Sequence, residues 1–289
     1  MTDLRELRAE DAEQVAALFV AAYGVERQVD AEEIRSWIDN VELVPEHLRV
    51  LEEDGRIAGY GDIWATEDEV ALDVAAPGHW VEFLEWAEAE ARTRGVRARA
   101  YVPAGHELAE IVAARGYRLA RSSYTMEIEL EEQPAAAALP NGLTLHSYES
   151  GDAERLRAAL NEAFAEDWHW HEVTPANFDE FYLKQRYHDP RLWLLAWDDD
   201  ELAGFVLATS GRGSEPGLGW VGTLGVRPGW RRRGLGEALL RSAFAELYAR
   251  GHRRVGLGVD TENVTGALRL YERVGMRPLH RQDNWTLEP

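Results

Sequence analysis

The stretch Leu224-Gly225-Val226-Arg227-Pro228-Gly229-Trp230-Arg231-Arg232-Arg233-Gly234-Leu235-Gly236 constrains this chain more than any other. An apolar run ends at Val226, Pro228-Gly229 make a turn, and a basic glycine-rich loop follows. Leu235, Ala238, Leu239, Ser242, Ala243 and Glu246 then recur at three- and four-residue steps, which predicts a helix with its apolar members on one face. A strand that feeds a glycine loop and then a helix N-terminus makes an anion site. The loop amides point at the ligand and the helix dipole favours negative charge there. Gly234 and Gly236 let the backbone approach a phosphate with no Cβ in the way. Three consecutive arginines add long-range attraction.

The order is Arg-x-x-Gly-x-Gly from Arg231, without the Gly-x-Gly-x-x-Gly spacing of a dinucleotide fold or the Gly-Lys-Ser/Thr ending of a nucleoside triphosphate loop. Downstream, Val255 to Val259 is an apolar run of strand length, and Asp260-Thr261-Glu262-Asn263 has the composition of a helix start. Ala267, Leu268, Leu270, Tyr271 and Val274 lead to Gly275, a candidate C-cap. The two trains together resemble the GCN5-related N-acetyltransferases. That family carries the first as its acyl-CoA pyrophosphate loop. The second is its strand, Asn, helix with Ala and then Tyr, Gly, and aromatic or Met, here Asn263, Ala267, Tyr271, Gly275 and Met276. The resemblance covers residues 143–289. It implies an α/β fold with a central mixed, mostly antiparallel sheet flanked by helices, and acetyl-CoA as co-substrate.

The chain is also written twice. Asp11-Ala12-Glu13 recurs as Asp152-Ala153-Glu154, and Gly55 to Tyr60 as Asp200 to Phe205, a hairpin turn entering a strand. Glu88 to Gly95 recurs as Phe244 to Gly251, and Gly116 is in register with Gly275. Between the copies, Glu131 to Pro134, an alanine run and Leu139-Pro140-Asn141-Gly142 have linker composition. Tyr124, Met126, Ile128 and Leu130 alternate with polar residues, as a strand closing the first domain would. The expected organisation is a first domain over 1–132, a linker over 133–142 and a second domain over 143–289. The first copy lacks the phosphate loop: Val70 to Val74 runs through Pro77-Gly78 directly into the helix of Trp80, Phe83, Leu84 and Ala87. Val112 stands four residues before Gly116, where Tyr271 stands four before Gly275. Two losses predict a first domain that neither holds CoA nor catalyses. This tandem layout with one active half resembles the mycothiol synthases, a two-domain branch of the family, although their first domain keeps more of the CoA motif.

Composition limits the partners. A formal net charge of −21 opposes nucleic-acid binding, whose affinity comes largely from neutralised phosphates, and suits a cationic amine. No apolar run is long enough to span a bilayer and the first residues have no signal-peptide shape, which predicts a cytoplasmic protein without a membrane partner. With no cysteine in the chain, acyl transfer through a Cys intermediate is excluded.

The resemblance then assigns roles residue by residue. The strand ending at Val226 offers backbone groups of Leu224, Gly225 and Val226 to the pantetheine arm. Arg231, Arg232, Arg233, Gly234, Leu235, Gly236 and Glu237 take the pyrophosphate. Asn263 orders the nearby helix start. Tyr271 is the general acid that returns a proton to the leaving thiolate. Many relatives carry a glutamate on the central strand as base; here that position is Trp220, and no carboxylate lies between Trp220 and Val226. Candidate bases are Glu172, His169, His171, Asp260 and Glu262. Trp168, His169 and His171, with Trp220, are the expected wall for a small-molecule amine or peptide-like acceptor. The loose His-x-His-Glu spacing, with no distant fourth ligand, predicts no metal. The missing glutamate leaves a second reading open, a CoA-binding sensor or scaffold without turnover.

Overall fold

The computed structural model describes residues 4–24, 27, 29–38, 45–135, 137–167, 170–184, 186–212, 215, 217–263 and 266–289. The expected Trp168 and His169 lie outside the described residues. By contact the chain forms two units, residues 1–123 with 280–289, and residues 124–279. Among the described residues no helix is long and apolar enough to cross a membrane.

The first unit contains β1 (Leu4–Glu6), α1 (Ala12–Tyr23), α2 (Ala31–Ile38), β2 (Leu48–Glu53), β3 (Arg56–Ala65), β4 (Glu69–Ala75), α3 (Trp80–Arg94), β5 (Arg97–Pro103) and α4 (Leu108–Ala114). β6 (Arg118–Glu129) starts in it and runs on into the second unit. The second unit contains β7 (Leu143–Ser147), α5 (Ala153–Phe164), α6 (Pro175–Phe178), β8 (Trp193–Asp198), β9 (Glu201–Thr209), β10 (Leu218–Val226), α7 (Leu235–Ala249), β11 (Arg254–Asp260) and α8 (Ala267–Arg273). β12 (Arg277–Leu287) starts there and ends in the first.

Each unit has the same strand order. The first runs β1-β2-β3-β4-β5 and is closed by β12; the second runs β7-β8-β9-β10-β11 and is closed by β6. In these two runs β4 with β5 and β10 with β11 pair parallel, and β1–β2, β2–β3, β3–β4, β5–β12, β7–β8, β8–β9 and β9–β10 pair antiparallel. The mixed α/β fold expected from the sequence is therefore present, with one correction. Tyr124, Met126 and Ile128 do lie in a strand, which ends at Glu129, but Met126 and the following Leu130 are buried with Leu239, Leu257 and Tyr271 in the second unit's core. The chain's last strand takes the corresponding place in the first unit, Asn284 opposite Tyr101 and Leu287 opposite Ala98. Each repeat thus receives its closing strand from the other. Alternation specifies which face of a strand is buried and leaves the partner open.

The repeat shows in the turns as well. Asp54 and Asp199 take the same left-handed φ of 50° between β2 and β3 and between β8 and β9. One glycine is fixed by packing: a Cβ on Gly225 would lie 2.2 Å from the Phe205 ring, itself fully buried. Gly225→Ala is expected to destabilise the chain by about 1–3 kcal/mol through overpacking, read as a lower urea midpoint. An unchanged midpoint would mean the ring relaxes freely.

Candidate active site

β10 is the element on which the site is built. Against β9 it pairs along its length, with a bulge between Val221 and Thr223 that leaves Gly222 exposed. Against β11 it pairs only from Leu218–Arg254 to Val221–Leu257. Both strands continue past that point, so Thr223 to Val226 diverge from Gly258 to Asp260 and leave a fork with unpaired backbone edges. Bulges re-aim strands in this way next to active sites. Leu224 and Val226 are half-buried on the core of the second unit, so their side chains pack while the strand edge beside β11 stays unpaired.

The turn after β10 is fastened on every side. Arg227 pairs with Glu162 at 2.6 Å and donates to the Leu202 carbonyl, and Trp230 Nε1 donates to Asp198 at 2.8 Å. Arg231 turns inward: it donates to the carbonyls of Val226 at 3.0 Å and Ala163 at 2.9 Å and pairs with Glu166 at 3.2 Å. Its guanidinium therefore braces the loop against α5. Arg232 and Arg233 are exposed, Arg232 with a left-handed φ of 63° and Gly234 with one of 85°. The six amides from Arg232 to Glu237 have no hydrogen-bond acceptor among the described residues, and Ala238 is the first to bond back, to the Gly234 carbonyl. Such a row of N–H groups at a helix N-terminus fits a pyrophosphate. Gly236 is where α7 and α8 approach: a Cβ there would lie 3.3 Å from Leu270.

α8 starts later than its sequence suggested. Asp260-Thr261-Glu262-Asn263 form turns, with the Asn263 amide bonded to the Asp260 carbonyl, and the N-cap is Gly266 at φ 79°. Asn263 is half-buried and is not the cap of α8. The helix nevertheless presents Tyr271 to the second unit's core, 7% exposed, and its hydroxyl makes no hydrogen bond to the described residues. Burial, and then the negative charge of Asp167, push its phenol up to about 12.

Asp167 is the residue that sequence reasoning missed. It lies just past α5, half-buried, with its amide bonded to the Phe164 carbonyl. Its one sequence signal is position: it directly precedes the Trp-His-Trp-His-Glu segment. Within that segment Trp170 stacks on Phe164 at 5.0 Å with its indole N–H buried and unpartnered, as an aromatic packing under a neighbouring helix would. His171 and Glu172 are exposed, and among the described residues neither makes a hydrogen bond or an ion pair. No contact ties Glu172 to Tyr271. Trp220 is half-buried over Gly256, whose Cβ would lie 2.7 Å from its ring, and carries the Arg212 guanidinium at 3.9 Å. In the place of a carboxylate this strand therefore has a cation held on an indole. Asp260 bonds the amide of Glu262 at 2.7 Å and so holds its own turn.

The second unit thus holds the diverging end of β10 and the amides of Arg232 to Glu237, with α8 approaching them at Gly236 and carrying Tyr271, on whose phenol the charge of Asp167 acts. Comparison with known proteins gives the family. The sequence profile of the Acetyltransferase (GNAT) family matches residues 153–276, wholly within this unit. The chain is 32% identical over 252 residues to a mycothiol acetyltransferase of Salinispora arenicola, covering 79% of this chain and 77% of that protein. It is 30% identical over 264 residues to one of Beutenbergia cavernae, covering 86% of each. A GCN5-related N-acetyltransferase from Sphaerobacter thermophilus superposes with a TM-score of 0.82 at 29% identity, over 99% of this chain and 95% of that one. A tandem GNAT protein from the clavulanic acid biosynthesis pathway has the same fold, with a TM-score of 0.73 at 18% identity over 99% and 98% of the two chains. With the fork, the loop and these relatives in view, the chain belongs to the GCN5-related N-acetyltransferase family and is an acetyl-CoA-dependent N-acetyltransferase.

Proposed function

We propose that the second unit transfers an acetyl group from acetyl-CoA directly to the amine of a small-molecule or peptide-like acceptor, with Tyr271 as general acid. The observation that carries this reading is the row of amides without acceptors from Arg232 to Glu237, at the end of a strand whose edge is unpaired. The amides and the dipole of α7 hold the pyrophosphate, with Arg232 and Arg233 adding attraction from the surface, and the free edge from Leu224 to Val226 takes the pantetheine arm. The amine attacks the thioester carbonyl, a C–N bond forms, and the C–S bond breaks. The thiolate receives the Tyr271 proton, the tyrosinate regains one of the two protons that the ammonium acceptor loses in becoming an amide, and the other leaves to solvent. No carboxylate stands on β10 from Trp220 to Val226 to take it.

The first unit has no part in this chemistry, because it has neither the loop nor the tyrosine. The relatives named mycothiol acetyltransferase make a mycothiol-related amine the first acceptor to assay, followed by simple amines and peptides. The test is release of free thiol from acetyl-CoA together with an acetylated product by mass spectrometry. The missing strand carboxylate favours one competing reading, a silent CoA-binding protein. That reading predicts thiol release at background with every acceptor in the panel.

A further inference from the structure

The two repeats hold their forks differently. In the first unit β4 and β5 pair only from Glu69–Arg97 to Leu72–Ala100, so Asp73, Val74 and Ala75 diverge from β5. The chain's own side chains fill that fork. Tyr23, at the end of α1, donates its phenol to the Val74 carbonyl, and Arg27 makes a two-pronged ion pair with Asp73. The Tyr23 ring packs against Trp80 and His106, centroids 6.2 and 5.3 Å away. What fills this fork also sets its angle. In the second unit the corresponding space is open: Gly258 on β11 is exposed, and a Cβ there would meet nothing within 4 Å. The angle of this fork has to be set from its closed end.

The closed end is a short ladder, Leu218–Arg254 to Val221–Leu257. One face of it is core: Val221, Val255 and Leu257 are buried with Leu239 of α7, and a Cβ on Gly219 would lie 3.1 Å from Leu247. By alternation Trp220, Arg254 and Gly256 leave the sheet on the other face. A Cβ on Gly256 would lie 2.7 Å from the Trp220 indole and 3.5 Å from Cγ of Glu127 on β6, so a side chain from β10 and one from β6 meet across β11. Arg254 holds the Glu127 carboxylate through two nitrogens at 2.9–3.1 Å and lies 4.0 Å from Glu215, just ahead of β10. Glu215 is fixed by reciprocal backbone bonds with Arg212, whose guanidinium covers the Trp220 ring at 3.9 Å. The charges here, Arg212 and Arg254 with Glu127 and Glu215, are matched, which suits a tie between strands. β6 also receives β11 and α8 at other points. The Leu130 amide donates to the Arg253 carbonyl at 2.8 Å, and Ile128 would lie 3.4 Å from a Cβ on Gly275, just past α8.

We propose that Arg254, through Glu127 and Glu215, is a positioning residue that sets the angle of the β10–β11 fork and so the width of the slot for the pantetheine arm. The inference rests on the reading of that fork as an acyl-CoA site. The lever is long. From Arg254 to Asp260 the strand extends about 20 Å, so a tilt of about 3° at the closed end moves its tip by about 1 Å. A displacement of about 1 Å is enough to cost about 10²-fold at a positioned group. Arg254 is about half exposed, so the ion pair itself contributes little to stability, and its effect on position can be read separately.

The test is calorimetric titration of acetyl-CoA, and of ADP, which has the pyrophosphate without the arm, into the full chain. Arg254→Gln and Glu127→Gln should each weaken acetyl-CoA at least about tenfold and leave ADP within about threefold, because the loop amides belong to the start of α7 and not to β11. Thermal midpoints should stay within about 3 °C of the wild type. The double variant should be no weaker than either single one, since both cut the same tie. Acetyl-CoA affinity unchanged in the variants, equal losses for acetyl-CoA and ADP, or additive losses in the double variant would each overturn the positioning role while leaving the acyl-CoA site in place. A wild type that binds neither ligand would remove the acyl-CoA reading itself, and the slot with it.

Discussion

Tyr271→Phe is expected to lower kcat by about 10²-fold or more, while acetyl-CoA affinity and the thermal midpoint stay near wild type. The ring is 7% exposed in the second unit's core, and phenylalanine fills the same space. Because the native hydroxyl makes no hydrogen bond to the described residues, its removal leaves no partner stranded. What is lost, on the proposed mechanism, is the proton that Tyr271 gives to the thiolate. With the phenol pushed up to about 12, that proton stays in place through the neutral and mildly alkaline range. The wild-type rate should therefore show no alkaline decline caused by Tyr271 in that range. A thiolate of ordinary pKa about 8.5 would take such a proton only uphill. The burial that raises the phenol also desolvates the thiolate formed beside it, which raises its basicity and narrows the gap. The check is thiol release across a pH series. A variant with the wild-type rate and profile would remove Tyr271 from the chemistry.

Gly234→Glu is expected to weaken acetyl-CoA binding by at least about 10²-fold, that is about 2.7 kcal/mol. Gly234 is the N-cap of α7 at φ 85°, and a Cβ there would meet nothing within 4 Å, so the substitution causes no clash. Two effects remain. A side chain in the left-handed region costs roughly 1–2 kcal/mol. A carboxylate placed among the amides of Arg232 to Glu237 repels the pyrophosphate they would hold. Gly234→Ala has the first effect without the second and should lose much less affinity. Equal losses in the two variants would assign the effect to backbone strain alone.

The sequence made the loop legible because its chemistry is local. Pro228, Gly234 and Gly236 dictate turn and cap geometry, and the helix period after Leu235 is strong. The start of α8 was placed too early because Asp260, Thr261, Glu262 and Asn263 are capping residue types, whereas the left-handed Gly266 sets the actual start. The strand through Tyr124, Met126 and Ile128 was legible, but its core was not, since a period of two fixes faces and the partner is a long-range choice. The same limit hid Asp167. In a chain with 52 acidic residues, only the fold distinguishes the carboxylate whose charge acts on Tyr271. The loss of the first unit's loop was visible as a gap. That Tyr23 and Arg27 close its fork was not, because Tyr23 reaches Val74 across 51 residues and Arg27 reaches Asp73 across 46. Trp220 was legible as a replacement for a carboxylate, while the Arg212 guanidinium on its face was not.

The central claim is a single acyl-CoA site, formed by the loop and fork of the second unit. Calorimetric titration of acetyl-CoA into the full chain tests it most directly. The predicted result is one site per chain, lost in Gly234→Glu and retained in Tyr271→Phe. Two sites would contradict the closed fork of the first unit, and no binding at all would contradict the assignment of the loop.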